Sequence, residues 1–264
     1  MSLTQKKPTL KLSTVPLEVV EYLDGLLSTA GIPDYSGAMN GLQIGADGPL
    51  TRIIAAVDAC EAVVTEAARI RGTLLLVHHG LFWSGAQPVT GALRRKLKAA
   101  LQADLALYSS HLPLDLHPEF GNNALLARAL GLRGVKPALE LKGSSVGLIG
   151  KISPVSRDDF QERIRAAVGG EVHLAPGGAG KISTVLVVTG GAGSEVARAA
   201  ALGVDAFVTG EGPHWSYTAA EESGVNLFYA GHYATETFGV KALAAHLSAR
   251  TGLPWSFLDH PTGL

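Results

Sequence analysis

Cysteine is almost missing from this 264-residue chain, which contains Cys60 and no other. A single thiol excludes an internal disulfide and fits a reducing compartment, so we expect a cytoplasmic protein. The same scarcity limits metal chemistry, because iron–sulfur clusters are held by several thiolates. A metal site here must use nitrogen and oxygen ligands, which suit Zn, Mn, Fe, Co, Ni or Mg.

Strong net charge and long apolar runs are also lacking. The 22 basic and 23 acidic side chains give a formal net charge of -1, which argues against non-specific nucleic-acid binding as the main activity. No apolar stretch approaches the ~20 residues that a membrane helix needs. Residues 1–15 are polar and lysine-bearing, without the apolar segment of a secretory signal. We expect no membrane partner and a loose extension over residues 1–15.

The chain does have the composition of a globular protein, 47% hydrophobic and 17% charged. Roughly two modest domains are expected at this length. Strand-like and helix-like runs alternate along most of the chain, which predicts sheets covered by helices. We therefore predict an α/β fold of two lobes with mostly parallel or mixed sheets. Residues 1–135 plus 226–264 form the predicted first lobe, and residues 136–225 the second.

The individual elements follow from the same periodicity. An N-terminal helix opens with Pro16 in its first turn. The predicted strands cover residues 52–59, 73–78, 105–110, 144–153, 182–189, 204–209 and 225–229. The other predicted helices cover residues 61–71, 90–103, 121–130, 156–168, 194–202, 216–222 and 236–249.

Several helices carry more detailed signals. Thr90 is a predicted N-cap, and residues 156–159 (SRDD) form a predicted capping box. The basic run over residues 94–98 is predicted to be a solvated helix face rather than a grip on nucleic acid. Two apolar faces are predicted to turn inward: Leu17, Val20, Leu23 and Leu27 near the N-terminus, and Leu93, Leu97 and Leu101 in the helix with the basic run.

Four of the strand-like runs lead into imidazole or carboxylate side chains. In open α/β sheets, ligands and ions bind at the carboxyl ends of the strands. Four such ends therefore predict one metal centre, assembled from distant parts of the chain and lying between the lobes. The residues concerned are His78 and His79, His111 and Asp115, Glu211 and His214, and His232 and Glu236.

Five of these side chains are the predicted metal ligands. His78 and His79 can converge if the strand ends there, and His232 and Glu236 share a helix face if the helix begins near His232. Taken singly, each pair has an ordinary structural reading, and Asp115 could be a turn residue or a cap. Together the five exceed the four ligands of a tetrahedral structural site. Two ions ~3.5–4 Å apart, with open positions for water, would use them all.

Five longer motifs extend this pattern: residues 34–45 (DYSGAMNGLQIG), 77–83 (VHHGLFW), 111–123 (HLPLDLHPEFGNN), 210–214 (GEGPH) and 230–239 (AGHYATETFG). In sequence and order they resemble the motif set of a dinuclear-metal family labelled GTP cyclohydrolase 1 type 2-like, also called Nif-three-like. The resemblance covers nearly the whole chain. The chain is similar to the family's short form, which lacks the inserted middle domain of longer members.

The resemblance implies a role for each predicted ligand. His79 and Asp115 would bind the first of two divalent ions, His78 and His232 would bind the second, and Glu236 would bridge both. The resemblance also implies a homohexameric ring whose metal sites face a central cavity. The activity in the family's label is GTP ring opening.

The neighbours of the predicted ligands have open roles. Glu211 is a candidate catalytic base, or it orients a ligand histidine. His214 is a candidate for proton transfer or for support of a ligand. His111 and His117 are predicted to orient loops or ligands rather than to carry catalysis.

Other positions could serve a substrate. Asn40 could contact it, although turn formation with the following glycine is the favoured reading. Phe82 and Trp83 could stack on a substrate ring, or they pack between lobes or subunits. The run over residues 189–194 (TGGAGS) fails the dinucleotide fingerprint, because Val196 occupies a position that needs a small residue. A phosphate role at the following helix stays open.

The leading hypothesis is a hydrolase with two divalent ions per chain, in which metal-activated water attacks a small nucleotide-like or phosphoester substrate. GTP ring opening rests on the label alone, since type 1 GTP cyclohydrolases hold zinc partly through thiolates and this chain has only Cys60. The competing hypothesis is non-enzymatic: a metal-binding ring that scaffolds a protein partner or encloses nucleic acid. The near-neutral charge weakens its nucleic-acid version.

Overall fold

Helices and strands alternate through the computed structural model, which describes residues 12–141 and 143–264. The predicted extension over residues 1–15 therefore lies mostly outside the described residues. No helix in the described part is long and apolar enough to cross a membrane. The strands are β1 (Gly41–Ile44), β2 (Arg52–Asp58), β3 (Thr73–His79), β4 (Ala106–Ser109), β5 (Arg133–Leu141), β6 (Ser144–Ser156), β7 (His173–Pro176), β8 (Lys181–Val187), β9 (Ala206–Thr209), β10 (Asn226–Tyr229) and β11 (Trp255–Phe257). The helices are α1 (Pro16–Leu27), α2 (Glu61–Ala67), α3 (Gly91–Gln102), α4 (Leu112–Asp115), α5 (Asn122–Ala129), α6 (Arg157–Val168), α7 (Val196–Ala201), α8 (Trp215–Ser223) and α9 (His232–Thr251).

The first sheet has the strand order β1-β4-β3-β2-β11. β4, β3, β2 and β11 run parallel, and β1 pairs antiparallel with β4. The central strand β3 (TLLLVHH) is an almost continuous apolar run because helices cover both of its faces. Residues of α1 and α9 pack on one face, and residues of α2 and α3 pack on the other.

The second sheet has the strand order β5-β6-β8-β9-β10-β7. β8, β9 and β10 run parallel, whereas β5, β6 and β7 each pair antiparallel with their neighbours. Helices α5 and α6 contribute to the core on one face, and α7 and α8 to the core on the other. The prediction of an α/β fold with mixed sheets is therefore confirmed.

Helix α9 connects the two sheets. It begins at His232, three residues after β10 of the second sheet ends. Its buried residues Val240, Leu243 and Leu247 belong to the core of the first sheet. The chain then adds β11 beside β2. The first turn of α9 consequently lies where the two sheets meet, and the rest of the helix holds it there.

The prediction from sequence includes seven of the described strands and misses four. The seven are β2, β3, β4, β6, β8, β9 and β10, each within a few residues of its observed bounds. The missed strands are β1, β5, β7 and β11. These four are the edges of the two sheets, where a strand has one partner and needs no continuous apolar run.

Sheet membership differs from the predicted lobe division at both boundaries. β5 begins at Arg133, before the predicted boundary at residue 135, and pairs with β6. β10 falls in the segment assigned to the first lobe, yet it pairs with β9 and β7 of the second sheet. The change of sheet thus occurs along α9, because that helix starts beside one sheet and packs on the other.

Two leucines that were predicted to face inward are exposed. Leu17 is 64% exposed and Leu101 is 66% exposed. The buried side of α1 includes Val20 and Leu23 and is centred about 100° around the helix from Leu17. On α3 the buried residue is Ala100, and the next position turns about 100° away from it.

The N-caps of α6 and α3 offer a matched stability test. Ser156 Oγ accepts a hydrogen bond from Asp159 N at 3.0 Å, as the capping box predicts. Thr90 occupies the same position before α3 but makes no side-chain cap hydrogen bond. Ser156→Ala is expected to lower the free energy of unfolding by about 1 kcal/mol, and Thr90→Ala by clearly less. Urea denaturation measures both, and equal losses would contradict the assignment of the cap.

Candidate metal centre

The five predicted ligands come together between the two sheets. β3 ends at His78 and His79, whose rings lie 4.8 Å apart between centroids. The chain after β4 enters α4, which ends at Asp115. Because α9 begins at His232, that residue and Glu236 lie one turn apart on the same face.

Glu236 is the centre of this cluster. Its Oε1 lies 3.5 Å from His78 Nε2, and its Oε2 lies 3.4 Å from His79 Nε2 and 3.2 Å from His232 Nε2. Asp115 Oδ2 lies 3.5 Å from His78 Nε2. Two groups share Glu236, and each could hold a metal ion. The nitrogen-rich group is His79, His232 and Glu236, and the oxygen-rich group is His78, Asp115 and Glu236.

This grouping differs from the pairing that the resemblance implies. The resemblance pairs His79 with Asp115 and His78 with His232. In the structure, Asp115 lies next to His78. His232 lies next to Glu236 Oε2, the carboxylate oxygen that faces His79. The alternation of β3 accounts for this. His78 continues the face of Leu74 and Leu76, which pack in the same core as Leu114, the neighbour of Asp115. His79 continues the opposite face.

The chemistry of the donor atoms fits metal ions. His78 Nε2 and Glu236 Oε2 are buried and make no hydrogen bond within the described part of the chain, a rare condition for buried polar atoms. The imidazole-to-carboxylate distances around Glu236, 3.2–3.5 Å, exceed the ~2.7–2.9 Å of a charge-assisted hydrogen bond. Both unsatisfied atoms are of the kinds that divalent metals bind.

The charges in the cluster depend on one another. Burial alone would lower the pKa of His78, but the carboxylates of Asp115 and Glu236 raise it well above its ordinary value. Burial likewise opposes charge on Glu236, yet His78 and His232 hold the pKa of that carboxyl well below its ordinary value. Burial would also lower the pKa of His232, but Glu236 and Glu211 outweigh this effect and raise the pKa of its imidazole to about 9. The buried Glu236 is therefore ionised and attracts positive charge.

Two of the ligand imidazoles are fixed by carboxylates. His79 Nδ1 lies 2.8 Å from Asp58 Oδ1, and His232 Nδ1 lies 2.9 Å from Glu211 Oε1. An ionised carboxylate only accepts hydrogen bonds, so each Nδ1 donates. In the neutral imidazole, each Nε2, the atom that faces Glu236, then carries the lone pair that a metal binds.

The oxygen-rich group is held mainly by neutral partners. His78 Nδ1 donates to the backbone oxygen of Ser110 at 2.8 Å. Asn122 Nδ2 donates to Asp115 Oδ1 at 2.8 Å, and Thr189 Oγ1 donates to the same oxygen at 3.4 Å. Asp115 therefore keeps its other oxygen directed at His78.

The glycine-rich run over residues 189–194 packs against Glu236. Gly190 has a φ of +71°, and a Cβ at this position would lie 2.2 Å from Glu236 Oε1. A 3₁₀ turn over residues 193–195 follows and ends at Glu195. Helix α7 begins directly after it and is only six residues long. An acidic side chain at so short a helix disfavours an anion, so the phosphate role is not supported. The backbone of Gly190 instead lies so close to Glu236 that a side chain would not fit, which explains why glycine occupies this position.

Glu211 and His214, the candidate catalytic residues, lie in different surroundings. The hydrogen bond from His232 to Glu211 supports the role of orienting a ligand. His214 is exposed at the residue before α8 and is not brought to the cluster. β9 ends at Thr209, and the turn that follows directs Glu211 toward His232 before the chain leaves along α8.

His111 and His117 orient loops, as predicted. Asp34 Oδ1 accepts from His111 Nδ1 at 2.9 Å, and Asn40 Oδ1 accepts from His111 N at 2.7 Å. His117 Nδ1 accepts hydrogen bonds from two backbone N–H groups of the turn before α5. His111 also groups with the two histidines of β3 and could add a further nitrogen ligand. Asn40 thus anchors a loop next to the cluster.

A cavity of about 500 Å³ opens onto the cluster, within the range of ligand pockets. Trp83 lines it, with its ring edge-on to His79 at 5.6 Å and to His111 at 4.9 Å between centroids. Phe82 does not line it. Leu141 and Val146 of the second sheet enclose the space together with residues of α4 and of loops: Leu112, Tyr35, Val188 and Ala192.

The basic run of α3 and Cys60 lie outside this cavity. In the basic run, Arg95 pairs with Glu61 at 2.6 Å, and Lys96 Nζ donates to Ala59 O at 3.0 Å. These local contacts on α3 fit a solvated face. Cys60 lies directly before α2 and packs against the core of the first sheet.

Known proteins resemble this chain over nearly all of its length. The sequence profile of the Duf34/NIF3 (NGG1p interacting factor 3) family matches residues 17–262. The chain belongs to this family. It is 42% identical over 248 residues to the GTP cyclohydrolase 1 type 2 homolog of Deinococcus radiodurans, with 94% of each chain covered.

Solved structures of Duf34/NIF3-like chains share the fold. TTHA1606 from Thermus thermophilus is 42% identical, with a TM-score of 0.84 over 94% of this chain and 98% of that one. The structural-genomics protein ybgI is 37% identical, with a TM-score of 0.87 over 94% and 99% of the two chains. The family predicted from the five motifs is therefore confirmed.

Asp58 and Asp34 are the carboxylates of this site that the sequence prediction missed. Asp58 is the last residue of β2 and pairs in parallel register with His79. The predicted strand ended at residue 59, whereas β2 ends at Asp58. With the correct end, the criterion of a polar residue at the end of a strand selects Asp58 as well. Asp34 opens the motif over residues 34–45, but no periodicity indicates that it reaches His111.

The central position of Glu236 generates a test of metal binding. Glu236→Gln is expected to weaken binding in both groups, and Asp115→Asn in the oxygen-rich group only. Each loss should exceed the ~10–100-fold that removal of an outer partner causes. Elemental analysis after dialysis against a defined concentration of free metal measures the bound ions. Glu222→Gln is the control, because Glu222 is an exposed carboxylate on α8. Wild-type metal content in Glu236→Gln would contradict the assignment.

Proposed function

We propose that this Duf34/NIF3 protein is a hydrolase that uses two divalent metal ions. One observation carries the proposal: the buried carboxylate of Glu236 directs one oxygen to His78 and the other to His79 and His232. A carboxylate shared by two ligand groups is the arrangement that a pair of ions needs. The cluster also borders a cavity large enough for a small molecule.

The donor set suits Zn, Mn, Fe, Co, Ni or Mg. When bound, such a pair of ions supplies a water molecule of lowered pKa as nucleophile and polarises the bond that is attacked. The chain's own contribution is to hold the imidazoles in one tautomer through Asp58 and Glu211, and to keep Glu236 ionised.

The cavity walls suit a planar organic group. Trp83 presents an aromatic ring next to the cluster, and the apolar side chains of Val146 on β6 and of Val188, directly after β8, also line the cavity. Apolar walls exclude water from the reacting group. A ring system placed between them would bring an attached ester or a ring carbon to the metal cluster, in agreement with a nucleotide-like or phosphoester substrate.

The charges of the cavity argue against a polyphosphate chain. Among the described residues that line it, the charged side chains besides histidine are carboxylates: Asp58, Asp115, Glu195 and Glu236. A triphosphate is normally bound by several cationic groups. We therefore propose a substrate with a planar ring and at most one phosphate, such as a nucleoside monophosphate, in preference to GTP.

Assembly and location are part of the same proposal. The homohexameric ring is supported by the resemblance of the motifs, and the cytoplasmic location by the single cysteine. Light scattering of the purified protein in solution tests the hexamer directly.

A substrate panel tests the hydrolase. Metal-loaded protein is incubated with nucleosides, nucleoside monophosphates, GTP and a chromogenic phosphomonoester, and released phosphate, formate and nucleoside are measured. Monophosphates are expected to react faster than GTP, and Glu236→Gln to abolish turnover while Glu222→Gln retains it. Fully metallated protein that hydrolyses nothing would contradict the proposal and favour the metal-binding scaffold.

Trp83 provides a test of the cavity as the binding site. Trp83→Ala is expected to raise KM about tenfold or more, since loss of a stacking ring weakens binding by ~1–3 kcal/mol, while kcat changes little. Trp215→Ala is the matched control, because Trp215 is exposed on α8 and does not line the cavity. An unchanged KM in Trp83→Ala would exclude stacking.

A further inference from the structure

The two ligand groups differ in the partners behind their histidines. In the nitrogen-rich group, both imidazoles donate to carboxylates, at 2.8 Å for Asp58 and 2.9 Å for Glu211. In the oxygen-rich group, the single imidazole of His78 donates to a neutral backbone oxygen at 2.8 Å. A carboxylate behind a ligand histidine fixes its tautomer and increases its basicity. The nitrogen-rich group therefore has the stronger imidazole donors.

The two groups also differ in access. His78 is fully buried, whereas the side chains of His79 and His232 are 19% and 29% exposed. A second cavity of about 200 Å³ reaches the nitrogen-rich group from another direction, and Asp58 and Glu211 line it. Asp115 also lines the larger cavity, but the histidines of the nitrogen-rich group are more open to ions from solvent than His78, and two additional negative charges lie behind them.

The donor atoms separate the groups by metal preference. Imidazole nitrogen suits Zn, Co, Ni and Fe, whereas carboxylate oxygen suits Mn and Mg. The nitrogen-rich group offers two imidazoles and one carboxylate, and the oxygen-rich group offers one imidazole and two carboxylates. The shared Glu236 carboxylate contributes equally, so the difference lies in the other side chains.

We propose that Asp58 and Glu211 are positioning residues that make the nitrogen-rich group bind the first ion, with preference for a borderline metal such as Zn or Co. The oxygen-rich group then takes the second ion and accepts the harder Mn. This inference rests on the proposed two-ion site but not on hydrolysis. The centre is accordingly asymmetric and can hold two different metals.

Titration of metal-free protein with Co²⁺ tests the order of binding. Two steps are expected in calorimetry, and the visible absorption of Co²⁺ should show a nitrogen-rich environment in the first. Asp58→Asn and Glu211→Gln are expected to weaken the first step by ~10–100-fold, with the second step much less affected. Asp58→Glu should restore part of the first-step affinity. A merely structural role would not confine the loss to one step.

Asp259→Asn is the matched control for charge alone. Asp259 is an exposed carboxylate that accepts a hydrogen bond from Tyr233, the residue after His232, and touches neither ligand imidazole. The Asp259→Asn variant is expected to bind metal in both steps with near wild-type affinity. Equal weakening in Asp259→Asn and Asp58→Asn would overturn the positioning role, as would wild-type first-step affinity in both Asp58→Asn and Glu211→Gln.

Wild-type protein gives a second test that needs no variant. Metal-free protein is given one equivalent of Zn²⁺ and an excess of Mn²⁺. It is expected to bind both metals in equal amounts, with a Mn²⁺ electron paramagnetic resonance signal altered by the neighbouring ion. Binding of Zn²⁺ alone at both positions, or displacement of Zn²⁺ by Mn²⁺, would overturn the inference. Both tests read metal binding, so a protein that hydrolyses nothing leaves their outcomes interpretable.

Discussion

A buried carboxylate surrounded by imidazoles is the constraint on which the rest of the site depends. Glu236 is 2% exposed and must be compensated, because an isolated charge in the interior is very unfavourable. His78, His79 and His232 surround it at 3.2–3.5 Å and keep it ionised. The same arrangement leaves two buried donor atoms without partners. Cations would satisfy both the charge and the unused lone pairs, so the local electrostatics favour metal binding.

The fold explains how that carboxylate comes to lie among distant histidines. Parallel strands of each sheet end toward the same region, and α9 starts at one sheet and is fixed by packing on the other. Gly190 leaves the space that Glu236 occupies. The site is therefore a property of both sheets together, which agrees with the cavity that side chains from both sheets enclose.

Sequence predicts the buried parts of this molecule better than its edges. Interior strands such as β3 and β9 are largely apolar because both faces are covered, and polar residues mark their ends. Edge strands such as β5 (RGVKPALEL) are largely exposed and carry glycine and proline, so no periodicity marks them. The five ligands follow from strand ends and helical spacing. Their grouping around Glu236 does not, because it depends on how α9 approaches the two faces of β3, and Asp58 reaches His79 through strand register.

The most direct measurement of the central claim is a crystal structure of the metal-loaded protein with anomalous scattering. Our account predicts two ions roughly 3.5–4 Å apart, bridged by the two oxygens of Glu236, with His79 and His232 at one ion and His78 and Asp115 at the other. A single ion, a pair of ions elsewhere in the chain, or a Glu236 that binds neither would contradict it.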